Sequence, residues 1–340
     1  MTAAIQAQAD ELNRLARSVS QALAELADPA VTAEIINDVA TRTIPRWHFG
    51  MLNDVTRNDA LAKAVELTVT EADHVLDIGT GVGLLAMMAA RAGAAKVTAC
   101  EENPLLAELA RQVVAAQGWS DVITIVPKRS TDLEIGRDID APADVIVSEI
   151  VDCGIVGEGL LPTMRHARER LLRPGGTVLP RALRLHGFLV ESESLAELNR
   201  ARLAGGFDIS LVNVVATHGH FPVRLHDWQH ETLSETVELL SFDVQADDLV
   251  AGRRVVAIPV RATGTGHGLA AWFEMDLCEG IQLTNHPSRR DSHWMQALML
   301  FGRPVPVRAG SCLYVDLAWT DYRLMCDDPS PPDLRGLLHD

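Results

Sequence analysis

His74-Val75-Leu76-Asp77-Ile78-Gly79-Thr80-Gly81-Val82-Gly83 reads as a short strand carrying one acid, closed by three glycines in five positions. An apolar helical pattern from Leu84 to Ala92 follows directly. Strand, glycine-rich turn and helix in this order let the backbone turn tightly and approach a ligand closely, with unpaired helix N–H groups just beyond. The acid precedes the glycines, and Gly-Thr-Gly-Val-Gly departs from the Gly-x-Gly-x-x-Gly of dinucleotide sites. No Gly-x-x-x-x-Gly-Lys-[Ser/Thr] run is present to cradle phosphates.

Working outward, Lys96 to Glu101, Val122 to Pro127 and Asp144 to Val147 read as further strands. Pro104 to Gln117 and Thr163 to Leu172 read as helices, the second ended by Arg173-Pro174-Gly175-Gly176. Strands separated by helices of this length imply an α/β, doubly wound parallel-sheet (Rossmann-like) domain over residues 46–180. Glu101 ends the second strand, where this fold class grasps ribose hydroxyls. Lys128 to Thr131, including Ser130, follow the third strand and would flank an adenine edge. Together these residues indicate S-adenosyl-L-methionine.

After Pro180 the texture changes. Leu183 to Val190 and Arg254 to Val260 alternate between turn residues, which predicts antiparallel strands in a barrel or sandwich over residues 181–328. A piece at about 196–230, with a helix-like run from Ala196 to Ala204 and then Gly205-Gly206-Phe207, reads as an insertion. Residues 329–340 are expected to be a loose tail. Upstream, Asn58 to Leu67 has helical spacing, and so have Ile5, Leu12, Leu15, Val19, Leu23 and Leu26. Residues 1–45 are therefore expected to form an N-terminal helical segment, a candidate lid.

The bulk numbers exclude several classes. A net charge of −16 argues against a nucleic-acid partner, whose phosphates demand a basic face. No apolar run approaches membrane-spanning length, and the start lacks a basic region followed by an apolar one, so a cytoplasmic protein with no membrane partner is expected. The five cysteines are scattered with no Cys-x-x-Cys pair, and neither a disulfide frame nor a metal site is indicated.

Beside the glycine-rich turn in interest stands Ser148-Glu149-Ile150-Val151-Asp152-Cys153-Gly154-Ile155-Val156-Gly157-Glu158-Gly159. Glycines at 154, 157 and 159 allow the segment to fold back, so both glutamates could face one small space. Paired anions raise each other's cost of ionisation unless a cation sits between them, and a guanidinium presents a rigid fork of donors to such a pair.

On these residues, with Trp47 to Asn58 and Asp291-Ser292-His293-Trp294, the chain resembles the arginine N-methyltransferases of the protein arginine methyltransferase type. It is most similar to the type III, monomethylating branch (the seventh mammalian member and its bacterial relatives). The resemblance covers roughly residues 46 to 325 and implies that Glu149 and Glu158 hold the substrate guanidinium. It further implies that Arg57 pairs with the donor carboxylate, that Asp77, Gly79, Thr80, Gly81 and Gly83 line the donor, and that Glu101 holds its ribose. His293 is implied to pack beside the substrate, paired with Asp54; Trp294 and Ser292 wall the pocket, and Met51 limits how many methyls fit. The insertion is similar to the family's dimerisation arm, which implies a homodimer.

Two departures stand out: Ser292 occupies a position where Thr is usual, and the only tyrosines are Tyr314 and Tyr322, none near residues 30–50. The expected activity is transfer of a methyl group to a terminal guanidino nitrogen of arginine, free or in a peptide or protein. The missing tyrosines lean toward the free amino acid. Competing readings are methylation of another small N or O nucleophile, or a non-catalytic, donor-binding dimeric scaffold.

Overall fold

A computed structural model describes residues 40–329 of the chain. Two compact units emerge: residues up to Glu149 with His166–Pro180, and Ile150–Arg165 with the residues from Arg181 onward. The cut after Pro180 falls where the sequence changes texture, while residues 150–165 belong to the second unit despite their place in the chain. The candidate lid, up to residue 39, and the tail from residue 330 lie outside the described residues.

The first unit contains α1 (Trp47–Leu52), α2 (Val55–Thr68), β1 (His74–Ile78), α3 (Leu84–Arg91), β2 (Lys96–Cys100), α4 (Pro104–Ala116), β3 (Ile123–Val126), β4 (Ala143–Ser148) and β5 (Leu172–Leu179). The helix Leu160–Arg170 spans the division between the units. All five strands are parallel, in the order β3-β2-β1-β4-β5. β1, β2 and β4 are buried at all but one position each, which fits strands covered on both faces. Strand order reverses beside β1, and ligands in such sheets bind at the carboxyl ends of strands at this point. Asp77, Glu101 and Glu149 stand at or just past the ends of β1, β2 and β4.

Two boundaries differ from the sequence expectation for local physical reasons. α2 begins three residues early, because Asp54 caps it: its Oδ1 accepts the Arg57 backbone N–H at 3.0 Å. Arg173-Pro174-Gly175-Gly176 does not stop a helix but lies within β5. β5 is an edge strand whose pairing with β4 shifts between Ala143 and Val145. An edge with an irregularity tolerates a proline that cannot donate and Gly175 at φ 74°.

The second unit is antiparallel. Gly264–Cys278 pairs with Ala182–Glu191 on one side and Gln296–Val307 on the other, at the centre of a seven-stranded sheet. A second sheet consists of Gly252–Pro259, Cys312–Trp319 and Leu324–Cys326. Among the described residues these pairings do not close into one ring; the bridge Ser234–Val260 links the strand edges. Phe188, Val190, Leu195, Trp272 and Leu298 form part of its packed core.

The insertion is less helical than its composition suggests. Its helix is Glu193–Ala196, capped by Ser192, and Ala196 to Ala204 does not continue it. Gly205 and Gly206, both at positive φ, turn a two-residue hairpin, and Ser210–Val215 is a 3₁₀ turn. Asn199 and Asn213 bond the backbone at Thr217 and Ala201, closing the loop with side-chain amides where a regular ladder is absent. No helix of the described residues is long and apolar enough to cross a membrane.

Candidate active site

The turn after β1 is built by backbone strain that glycine avoids. Gly79, Gly81 and Gly83 have φ of 74°, 57° and 88°, where L side chains are costly. A Cβ on Gly81 would meet nothing within 4 Å, so its surroundings are open. Asp77 is fully buried; its Oδ2 accepts the Thr80 hydroxyl at 2.5 Å, and its Oδ1 has no partner. Burial pushes the Asp77 carboxyl up to about 7, partly offset by the Thr80 hydroxyl and the Ala86 N–H, with the nearby Glu101 charge adding to the rise.

Glu101 faces the same turn. Its Oε2 accepts the Gly81 N–H at 3.0 Å and its Oε1 the Asn103 N–H at 2.8 Å. Burial raises its carboxyl, against these two N–H groups. Ser130 is buried after β3, whereas the Lys128 ammonium is committed to Asp138 at 2.7 and 2.8 Å.

Arg57 makes an unanticipated contact. Its Nε donates to Glu149 Oε2 at 2.8 Å, and its Nη2 donates to the same oxygen. Nη1 donates to Asn58 Oδ1 at 2.9 Å. The two charged side chains are 5% and 4% exposed. The carboxylate after β4 thus already holds a guanidinium, one supplied by the chain itself. The sequence resemblance assigns Arg57 to the donor carboxylate; its contact with Glu149 went unread because a separation of 92 residues leaves no local trace of the pair.

In the second unit, Trp294 is buried, packs edge-on against Phe273 with ring centroids 5.1 Å apart, and donates its indole N–H to the Val151 carbonyl at 3.0 Å. That bond ties the His-Trp element to the segment between the glutamates. Ser292 is buried, and its hydroxyl accepts the Trp294 N–H at 3.2 Å. His293, half-buried, lies 4.1 Å from the Trp294 ring. Glu158 is exposed, and Met51 is half-buried on α1. The Tyr322 ring covers Gly159, the residue after Glu158; a Cβ there would lie 2.7 Å from its edge. A tyrosine therefore stands against the residue after Glu158, brought from the far end of the chain where sequence proximity could not reveal it.

The chain is similar to several known proteins. Residues 185–323 match the arginine methyltransferase oligomerization subdomain, and residues 54–179 match ribosomal protein L11 methyltransferase. The arginine N(omega)-methyltransferase of Streptomyces achromogenes subsp. streptozoticus is 51% identical over 323 residues, 95% of this chain and 90% of that protein. This chain belongs to the arginine N-methyltransferase family. It is an enzyme of that class. Protein arginine N-methyltransferase 1.6 of Arabidopsis thaliana is 37% identical over 246 residues, although the matched part spans only 34% of that longer protein. Among solved structures, the Trypanosoma brucei PRMT1 enzyme–prozyme heterotetrameric complex with AdoHcy has a TM-score of 0.69 at 25% identity, covering 80% of this chain and 86% of that one. The oligomerization-subdomain match falls within the antiparallel unit, and the L11 methyltransferase match falls mostly on the parallel-sheet unit.

Proposed function

We propose that the chain transfers one methyl group from S-adenosyl-L-methionine to a terminal guanidino nitrogen of arginine, with the free amino acid as acceptor. The observation that supports this reading is Glu149, a buried carboxylate just past β4 whose Oε2 takes two N–H donors from the chain's own Arg57 and so suits a guanidinium fork. The free-amino-acid acceptor draws support from the Streptomyces relative, whose name gives arginine and which matches nearly end to end, whereas the plant relatives are named for protein arginine. Incubating the chain with labelled donor and either free L-arginine or an arginine-rich peptide tests this. Label on free arginine alone is expected; label on the peptide alone would reassign the acceptor.

The residues fit the donor. Asp77 Oδ1, buried and unpartnered, supplies an acceptor, and the space over Gly81 admits close approach of a ligand to backbone. In this reading Asp77, Gly79, Thr80, Gly81 and Gly83 hold the amino-acid portion, Glu101 the ribose and Ser130 the adenine edge, while the Lys128 ammonium stays on Asp138 and only its backbone flanks that edge. When bound, the donor supplies an electrophilic methyl on a sulfonium. Arginine keeps its proton well above neutral pH and its lone pairs are delocalised, so the protein must align rather than simply deprotonate it. Glu149 and Glu158 would draw positive charge toward two of its nitrogens and orient the third, working by alignment and preorganised electrostatics. Glu158 or a His293–Asp54 pair takes the departing proton. Met51, Ser292 and Trp294 would shape the acceptor's walls.

Two predictions follow from particular residues. Because burial raises Asp77 above the usual aspartate range, its proton favours the fold: that stabilisation is complete below about pH 4 and lost as pH rises through about 7. A bound sulfonium favours the carboxylate, so donor affinity is expected to increase between about pH 6 and about pH 8, with proton release on binding. Calorimetry in two buffers of different ionisation enthalpy reads both effects, and Asp77→Asn should flatten them.

The second concerns assembly as a homodimer. Leu203, Phe207, Leu211, Val214 and Val215 of the insertion are exposed, from 65% at Leu203 to 85% at Leu211, a surface expected to be covered by a second copy. Leu211→Glu with Val214→Glu should halve the mass measured by light scattering; an unchanged mass would place the interface elsewhere.

A further inference from the structure

Between the two glutamates, Asp152 divides its carboxylate between two partners. Oδ1 accepts the Gly157 N–H at 2.8 Å, and Oδ2 accepts from Nε2 of His220. The other ring nitrogen of His220 faces the Leu324 carbonyl at 3.4 Å. Burial lowers the His220 pKa, but the Asp152 hydrogen bond and charge outweigh it and leave the ring raised toward the protonated form. The local backbone is shaped around this pair. A Cβ on Gly154 would overlap the His220 ring, and one on Gly157 would overlap the Asp152 carboxylate.

The same segment stores strain. Ile155 is fully buried at φ 75°, a costly conformation for a β-branched residue, worth about 1–3 kcal/mol. Such a conformation persists only where the surroundings over-determine it. Glu158 follows Gly157 directly, and Gly159, at φ 78°, lies beneath Tyr322. The backbone on both sides of Glu158 is thereby fixed, while its side chain is exposed.

We infer that Asp152 and His220 act as one positioning pair, fixing the backbone that presents Glu158 to the acceptor guanidinium. This rests on the reading of Glu158 given above. Cys153 Sγ lies within 4.8 Å of the ligand-type atoms of both residues, a grouping that could hold a metal ion. Burial pushes that thiol well above its usual range, however, and the imidazole and carboxylate already satisfy each other, which favours a clamp over a ligand set. Displacing a substrate-holding group by about 1 Å can cost on the order of a hundredfold in rate, so a clamp of this kind matters to catalysis without touching substrate.

The test uses the full chain, the methyl donor and arginine in its accepted form, with Asp152→Asn, His220→Gln, their double variant, Gly154→Ala and Glu158→Gln. Each single clamp variant should lower kcat about tenfold or more. The double should fall no further than the worse single, because paired residues are non-additive. Gly154→Ala, which displaces the ring but removes neither titratable group, should give the same loss. All should bind one donor per chain, with Kd within about twofold of the unaltered protein. Unchanged kcat in His220→Gln or Gly154→Ala, additive losses, or losses matched by missing donor sites would overturn the inference. An inactive Glu158→Gln beside a fully active His220→Gln defeats this inference alone; a fully active Glu158→Gln defeats the reading beneath it.

Discussion

Glu158→Gln is expected to lose turnover by at least about a hundredfold, the scale for removing one preorganised charge contact, while binding the donor as tightly as before. Glu158 is exposed, so the amide replaces a carboxylate that water reaches. Its backbone is held by neighbours that the change does not touch, namely Gly157 through Asp152 and Gly159 beneath Tyr322. A loss confined to kcat, with an unchanged thermal midpoint, is therefore expected. Glu149→Gln is a different experiment. That change weakens the acceptor of a buried arginine, so lost turnover would come mixed with lost stability.

The second large effect lies on the other side of that pair. Arg57→Met is expected to destabilise the protein by about 3–5 kcal/mol, because Glu149 then stays buried without its cation. For a unit of this size that corresponds to a fall of roughly 10 °C or more in midpoint by calorimetry. The pair itself need not stabilise the fold over an apolar alternative, since burying two ions offsets much of their attraction. Arg57→Met with Glu149→Leu should thus recover much of the loss while remaining inactive. A double variant no more stable than the single would show that the pair's own attraction, rather than a stranded charge, sets the cost.

How much of this was legible in the sequence depends on the range of each interaction. The parallel sheet was readable because β1, β2 and β4 are short apolar runs with helices between them, and a Gly-rich turn needs only neighbouring residues. The placement of Asp77, Glu101 and Glu149 at or just past strand ends was legible because the strands themselves were. Contacts between distant residues left no such trace: Arg57 with Glu149, His220 with Asp152, and Tyr322 over Gly159. The insertion misled by composition, since its Ala, Leu and Glu content suits a helix, whereas Gly205-Gly206 and two asparagine side chains bend it into a closed loop.

The central claim is that the guanidinium-binding carboxylates serve methyl transfer to arginine. Its most direct test is to supply methyl-labelled donor with free L-arginine and locate the label in the product by fragmentation mass spectrometry. The account predicts a single label on a terminal guanidino nitrogen, absent with Glu158→Gln. Label on the α-amino or carboxylate group, or no transfer to arginine in any form, would contradict it.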